Sequence, residues 1–392
     1  MELRKLEQNE NGKTRPLWEH VFNEDTKAFL DYYYFFKARD NEIYVVEEDG
    51  KICSMLQLNP YLLQVEKSRF TGNYIIGVAT EPEYRKRGYM GALLRRSIQE
   101  MYGRGELFTF LMPAAEAIYT PYDFRFVYDQ RQCELPVNPE NTEDADISKH
   151  SDDRAGIAMT DASMGDAGEL SHFFREHFAE KWQVYAVRDE AYYQSLLFER
   201  QSENGGIKMI RDGERLVGTF TYSDEGGLEI LEPLMLEGYD EVLRQCICKM
   251  NPVPEVPVRV YAYGAWESTK PGDKEKPMIM ARILRPEKLL AEMKVKKGES
   301  LDCTFAVLDF LLPQNSRIWR VQGDGREDGR IRVRETENSE GVLPIGALTS
   351  FLFGYKTIEE TAQEGDVILT GHLAAELKKI EPLQNIFLNE LV

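Results

Sequence analysis

The chain has 392 residues, 42% of them hydrophobic and 29% charged, the make-up of an ordinary folded protein with room for two or three domains. Its 67 acidic against 48 basic side chains leave a net charge of −19, which argues against nucleic acid as a partner, and no window approaches a membrane span. The acidic surface either keeps the protein soluble or steers cationic, amine-bearing molecules toward an acidic cleft. The start, M-E-L-R-K-L-E-Q-N-E-N-G, has no apolar signal core. Five scattered cysteines fit thiols in a reducing cytoplasm better than a disulfide framework. Cys246-x-Cys248 lacks a second pair and the histidines show no ligand spacing, so no metal is expected.

In chain order, Leu17, Trp18, Val21 and Phe22, then Phe29, Leu30, Tyr33 and Phe36, predict two amphipathic helices broken near 23–26. Their aromatic side chains belong mostly to the core, with Asp25 and Asp31 as candidate amine-binding carboxylates; a helix cap is the plainer reading of Asp25. Ile43 to Val46 and Ile52 to Leu58 flank Asp49-Gly50, a strong hairpin signal. Tyr74 to Val78 reads as a buried strand that ends at Glu81-Pro82-Glu83. The basic turn Arg85-Lys86-Arg87-Gly88 then leads into a helix from Tyr89 to 102, with Met90, Leu93, Leu94 and Ile98 on one face. Unpaired N–H groups, a helix dipole and positive side chains together suit a pyrophosphate. Neither a Walker loop nor G-x-G-x-x-G is present. A buried strand at 107–111 and a short helix carrying Tyr119 follow.

The run V-A-T-E-P-E-Y-R-K-R-G-Y-M-G-A-L-L resembles the acetyl-CoA motif of the GNAT superfamily of N-acetyltransferases, [RQ]-x-x-G-x-[GA]. The resemblance implies a cofactor site at Val78, Ala79, Thr80, Arg85, Lys86, Arg87, Gly88, Tyr89, Met90 and Gly91. The last small residue of the pattern is Met90 here, with Gly91 one step later. The segment M-P-A-A-E-A-I-Y-T-P-Y-D-F resembles A-S-E-x-x-I-Y-x-x-[FY]-G-[FY] of the enhanced-intracellular-survival (Eis) family of acetyltransferases. On that resemblance Tyr119 is the general acid that reprotonates the thiolate of CoA. A phenol, with an ordinary pKa of about 10, is neutral at pH 7 and able to donate. One residue fewer separates Glu116 from Ile118 than in the pattern. The family's serine therefore falls on Ala114, which joins the cofactor set, or on Ala115, and its hydrogen bond is lost.

Residues 138–156 are acidic, poor in apolar side chains, and read as a linker. Beyond them come a helix at 168–178, the aromatic pair Trp182/Tyr185, and a second Asp-Gly hairpin at Gly213 parallel to the one at Gly50. We read a diverged duplication of one fold. After G-L-E-I-L-E-P-L-M the second copy has L-E-G-Y-D-E-V-L in place of a basic turn, so it is not expected to hold CoA. A third unit has helices at 286–294, 344–353 and 374–380 and strands near 301–308, 318–321, 331–333 and 367–369. M-A-R-I-L and P-I-G-A-L-T-S-F-L-F-G-Y resemble the sterol-carrier-protein-like domain of the Eis family. In that family the C-terminal carboxylate is the base toward the amine, a role that falls on Val392; Asp25 and Glu390 are our candidate substrate-binding carboxylates.

The expectation is thus an α+β (α/β mixed) protein of two GNAT-like domains in tandem followed by a sterol-carrier-like domain. The units are 1–140, 141–284 and 285–392. The resemblance implies a cytoplasmic enzyme that transfers acetyl from acetyl-CoA to a primary amine of an aminoglycoside, polyamine or lysine-type acceptor, in a homo-hexamer. Acetyl-CoA is the co-substrate, and no metal, nucleic acid or membrane is involved. The rivals are transfer of a longer acyl group, with Ala114 and Gly77 enlarging the site, a lipid carrier, and a CoA sensor without turnover.

Overall fold

The structure is a computed structural model that describes residues 2–135, 156–251, 256–261, 274–326 and 329–390. It opens with β1 (Glu2–Lys5), α1 (Arg15–Val21) and α2 (Lys27–Tyr32), and the two helices break where Thr26 caps α2 by accepting from the Phe29 N–H. The second helix runs on through a wider π turn at Tyr33–Lys37. β2 (Glu42–Glu48) and β3 (Lys51–Val65) turn at Asp49-Gly50, both left-handed, as a two-residue hairpin of the right-handed twist requires. β3 outruns its expected end at Leu58, continues through Pro60, and returns as β4 (Ser68–Thr80). Then come α3 (Tyr89–Arg104), β5 (Phe108–Leu111), α4 (Glu116–Tyr119) and β6 (Arg125–Leu135).

The same plan follows a second time. It comprises β7 (Ile157–Asp161), α5 (Ala167–His177), β8 (Val184–Ala186), α6 (Glu190–Ser202), β9 (Gly206–Asp212), β10 (Arg215–Ser223), β11 (Glu229–Met235), α7 (Asp240–Met250), β12 (Val258–Tyr261) and β13 (Lys274–Ile283). β7 pairs β9 as β1 pairs β2, and β9-β10-β11 is a meander like β2-β3-β4. A helix joins parallel strands in both, α3 between β4 and β5, α7 between β11 and β12. The duplication read from the two hairpins is therefore a duplication of fold. The last strands are exchanged: β6 pairs with β12, β13 with β5, and the two pair with each other. Both copies thereby share one sheet, 14-stranded among the described residues, ordered β1-β2-β3-β4-β5-β13-β6-β12-β11-β10-β9-β7, with β8 joined to β3 off this path and the short C-terminal strand 386–387 joined to β8.

The C-terminal unit begins with α8 (Pro286–Glu292) and β14 (Lys294–Val295). β15 (Ser300–Leu308), β16 (Ile318–Asp324), β17 (Arg332–Thr336), β18 (Gly341–Pro344) and a short β19 (Ile368–Leu369) form a five-stranded sheet. Between β18 and β19 lie α9 (Ile345–Leu352) and α10 (Ile358–Thr361). Every residue of α9 is buried, because it lies on β6 and β13 of the large sheet as well as on its own β18. The last helix, α11 (Gly371–Leu377), starts and stops earlier than its periodicity suggests. Thr370 caps it, and Ile380 leaves it to begin β20 (Ile380–Glu381), which pairs with β14. The tail then crosses back to the centre, where β21 (Ile386–Phe387) runs parallel to β8 and Phe387 stacks on Trp182 at 4.9 Å. Among the described residues no helix is long and apolar enough to cross a membrane.

Candidate active site

β4 and β5 pair in parallel at one register position, Tyr74 opposite Phe110. β5 stops at Leu111 while β4 runs on to Thr80, so beyond Tyr74 one edge of β4 has no partner strand. The peptide groups on that edge have no partner strand among the described residues and form an open notch. Along the notch β4 carries a bulge: Gly77-Val78 stand opposite Leu56 alone, and Gly77 has φ +58°. A Cβ on Gly77 would lie 2.6 Å from the Trp18 ring. Gly77 therefore does not enlarge an acyl site, as one rival requires, because Trp18 already fills the space. We expect Gly77→Ala to destabilise the fold by roughly 2–4 kcal/mol, from a left-handed alanine and an overfilled contact. Urea unfolding measures it; an unchanged midpoint contradicts this packing.

Trp18 is held in turn by Asp25, whose carboxylate accepts from the indole N–H at 2.6 Å. Burial pushes the Asp25 carboxyl up, and that hydrogen bond partly offsets the shift. Ala79 is buried, while Val78 and Thr80 are half-buried toward the end of β4. Ser54 bonds both the Ala79 carbonyl and the Thr80 hydroxyl across the hairpin.

The basic turn sits at the mouth of the notch, with Arg85, Lys86, Arg87 and Gly88 all exposed. Its shape comes from two left-handed residues, Lys86 at φ +63° and Gly88 at +83°, and Gly88 is the N-cap of α3. Arg85 donates to the Thr80 carbonyl and Arg87 to the Glu83 carbonyl, so two arginines brace the turn they charge. Arg87 also lies over the Tyr84 ring at 4.7 Å. Tyr89 is buried and its hydroxyl donates to Glu48. Met90 is half-buried in the apolar cluster under α3. The glycine displaced by one place has its own reason: a Cβ on Gly91 would lie 2.4 Å from the Tyr122 hydroxyl.

Tyr119 ends α4 and is buried against Phe124, with ring centroids 5.9 Å apart. Burial alone pushes its phenol up to about 12. Ala114 is exposed, and Ala115 is the α4 N-cap with no side-chain hydrogen bond to give, which is the consequence expected of the missing serine. The segment is held from behind instead. Arg125 donates to the Thr120 and Phe124 carbonyls, and Arg282 of β13 donates to the Tyr122 carbonyl at 2.9 Å. Arg282 is fully buried and paired with the equally buried Asp309 at 2.6 Å. Through that pair the C-terminal unit supports the Tyr119 segment.

A cavity of about 230 Å³ is lined by Tyr61, Tyr192, Glu199, Glu232, Asn389 and Glu390 among others. Tyr61 and Tyr74 share an aromatic cluster with Phe110, at 6.4, 6.1 and 5.3 Å. Burial raises the Tyr74 phenol, and the neighbouring Tyr61 adds to the shift. Glu390 is buried; one oxygen accepts from Tyr192 at 2.9 Å, and the other lies 3.6 Å from Arg188 with no hydrogen-bond partner among the described residues. Burial raises its carboxyl, opposed by Arg188. The other predicted carboxylate, Asp25, is not part of this lining. Val392 lies outside the described residues, as does most of the 138–156 segment.

Arg188, Glu199 and Glu232 were not foreseen. Glu232 leaves a trace in the sequence: a glutamate followed by proline inside the apolar strand I-L-E-P-L-M is a mark of a bulge. Arg188 leaves none.

Residues 2–127 match the family model described as an acetyltransferase (GNAT) domain, and residues 286–391 match the sterol carrier protein domain. The full chain superposes on a probable N-acyltransferase from Enterococcus faecalis V583 at 18% identity, covering 100% of this chain and 99% of that one, with a TM-score of 0.81. A GCN5-related N-acetyltransferase from Anabaena variabilis gives 15% identity, full coverage of both chains and 0.80. Eis1 from Mycobacterium abscessus gives 15%, full coverage of both and 0.68. At these identities the likeness is one of fold. Comparison with curated proteins returns no match. The N-terminal unit is a GNAT acetyltransferase domain, followed by a second copy of its fold and a sterol carrier protein domain. The fold of the whole chain is shared with these three structures, Eis1 from Mycobacterium abscessus among them.

Proposed function

We propose that the protein transfers the acetyl group of acetyl-CoA directly to a primary amine, at the first GNAT copy. The observation that carries this reading is the open edge of β4, which ends near the basic turn at the α3 N-terminus and whose Ile75 and Val78 share an apolar cluster with the buried Tyr119. The turn would hold the pyrophosphate, and peptide N–H groups around Val78 would bind the thioester oxygen as negative charge develops on it. The amine nitrogen attacks the carbonyl carbon, the C–S bond breaks, and Tyr119 gives its proton to the leaving thiolate. The amine's own proton goes to the Val392 carboxylate, a role supported by the burial of the tail as far as Glu390. The buried carboxylates of Glu199, Glu232 and Glu390 in its lining support the cavity as the seat of a cationic acceptor.

Lys86→Glu is expected to raise KM for acetyl-CoA about 10- to 100-fold with kcat at saturation nearly kept, the effect of losing one charge-assisted phosphate contact. Initial-rate kinetics separate the two parameters, and an unaltered KM would move the pyrophosphate elsewhere. The reaction itself is tested by incubating the protein with acetyl-CoA and a panel of aminoglycosides, polyamines and lysine peptides, then weighing the amines. One or more should gain acetyl groups at the rate at which thiol appears. No acetylated amine, despite bound acetyl-CoA, would point to the sensor instead.

A further inference from the structure

The bulge of β4 recurs in the second copy with different residues in it. Glu232-Pro233 stand opposite Phe220 alone, as Gly77-Val78 stand opposite Leu56, and Glu232 has φ +50° where Gly77 has +58°. Proline at the place of Val78 removes the N–H that could meet a thioester oxygen. At the place of Gly77 a carboxylate is held on a left-handed, non-glycine residue, a strained conformation that persists only where its surroundings impose it.

Those surroundings are the C-terminal tail and Arg188. The Glu232 carboxylate pairs with the Arg188 guanidinium through one oxygen and accepts from Asn389 Nδ2 at 3.1 Å through the other. Asn389 in turn accepts from Gln130 of β6 at 2.7 Å, so the tail is tied to both copies. Arg188 also lies over the Phe387 ring at 4.7 Å and 3.6 Å from Glu390. All these side chains are buried. A dead acetyl site would need no charge at its bulge; here the charge reaches the last described residues of the chain.

We infer that the bulge of the second copy has become the anchor of the C-terminal tail, and that Glu232 and Arg188 are positioning residues for acetyl transfer at the first copy. The inference rests on the reading that the chain's end acts in that transfer. It also gives the second copy a task other than CoA binding.

The test is hydrogen exchange of the full chain, read over peptides covering 386–390, beside steady-state kinetics. Asn389→Ala cuts the tie from the tail side and leaves the Arg188–Glu232 pair in place, whereas Glu232→Ala cuts it from the bulge. In both variants tail exchange should rise at least about tenfold, with β9 and β10 still protected. The kcat for amine acetylation should fall by about tenfold or more with KM for acetyl-CoA unchanged, a split that general destabilisation does not give. Unchanged tail exchange in Asn389→Ala overturns the anchor, as does exchange that rises equally in β9 and β10. A loosened tail with full turnover overturns the positioning role. Adding one residue after Val392 then tells the two readings apart: loss of turnover on extension keeps the proposed mechanism and removes only the anchor's part in it.

Discussion

Tyr119→Phe is expected to lower kcat for amine acetylation by about 10²- to 10⁴-fold, the usual worth of a positioned general acid. KM for acetyl-CoA and the unfolding midpoint should stay close to wild type. The reason lies in how the residue is held. Its ring packs on Phe124 in the apolar cluster beneath α3, and phenylalanine keeps that packing. Burial is what raises the phenol to about 12, with no charged or hydrogen-bonding partner contributing among the described residues. The proton is therefore in place throughout the neutral range, and no rate limb below about pH 10 should belong to this group. The sign for stability follows from the same shift. An unfolded tyrosine ionises at about 10, before the folded one, so the group's contribution is fully present below that pH and is lost as pH rises toward 12. Steady-state kinetics across pH, beside urea unfolding of both proteins, measure all of this. A Tyr119→Phe enzyme with near-normal kcat would show that the thiolate leaves without help from this residue.

The second large effect is structural. Asp309→Ala is expected to cost about 3–5 kcal/mol, because it leaves the Arg282 guanidinium charged, buried and unpaired. The Asp309 carboxylate is fully used: it accepts from Arg282, from the Leu311 and Leu312 N–H groups, and from Asn315. Asn315 donates also to the Leu284 carbonyl, where β13 gives way to α8. One side chain thus closes the 309–316 turn, neutralises Arg282 and fixes the C-terminal unit to the exchanged strand β13. Since Arg282 donates to the Tyr122 carbonyl, the segment after Tyr119 loses its support together with the domain contact. Asp309→Asn should be milder, as it keeps one oxygen acceptor. Urea unfolding of both variants gives the ranking; a cost under about 1 kcal/mol for Asp309→Ala would mean that water or a local rearrangement satisfies Arg282.

Local order in this chain is written in local residues. The Asp-Gly turns, the strand from Tyr74, the basic turn and the α3 stripe all depend on neighbours a few positions apart, and the folded chain keeps them. The pairing partners were beyond reach because they lie far off in sequence. β21 meets β8, and β13 enters beside β5, by contacts that no period or turn residue announces. Proline at position 60 hides the second half of β3, since proline in a strand ordinarily marks its end. The candidate site divides the same way. The basic turn and Tyr119 sit on short contiguous motifs, whereas Arg188, Glu232 and Asn389 meet only after three units have assembled. Arg282 stood in view as a lone charge inside M-I-M-A-R-I-L, the pattern of a buried ion pair, but its partner Asp309 is in another unit.

All three units take part in the centre proposed above, the first through the phosphate turn and Tyr119, the second through the buried seat of the tail, the third through the tail itself. Adding a single residue after Val392 would shift the terminal carboxylate while substituting no residue of the first copy. Turnover with the best amine and acetyl-CoA affinity should be measured on the same preparation. We expect kcat to collapse with the dissociation constant for acetyl-CoA unchanged. Full turnover by the extended chain would contradict a role for the tail and return the amine's proton to another base.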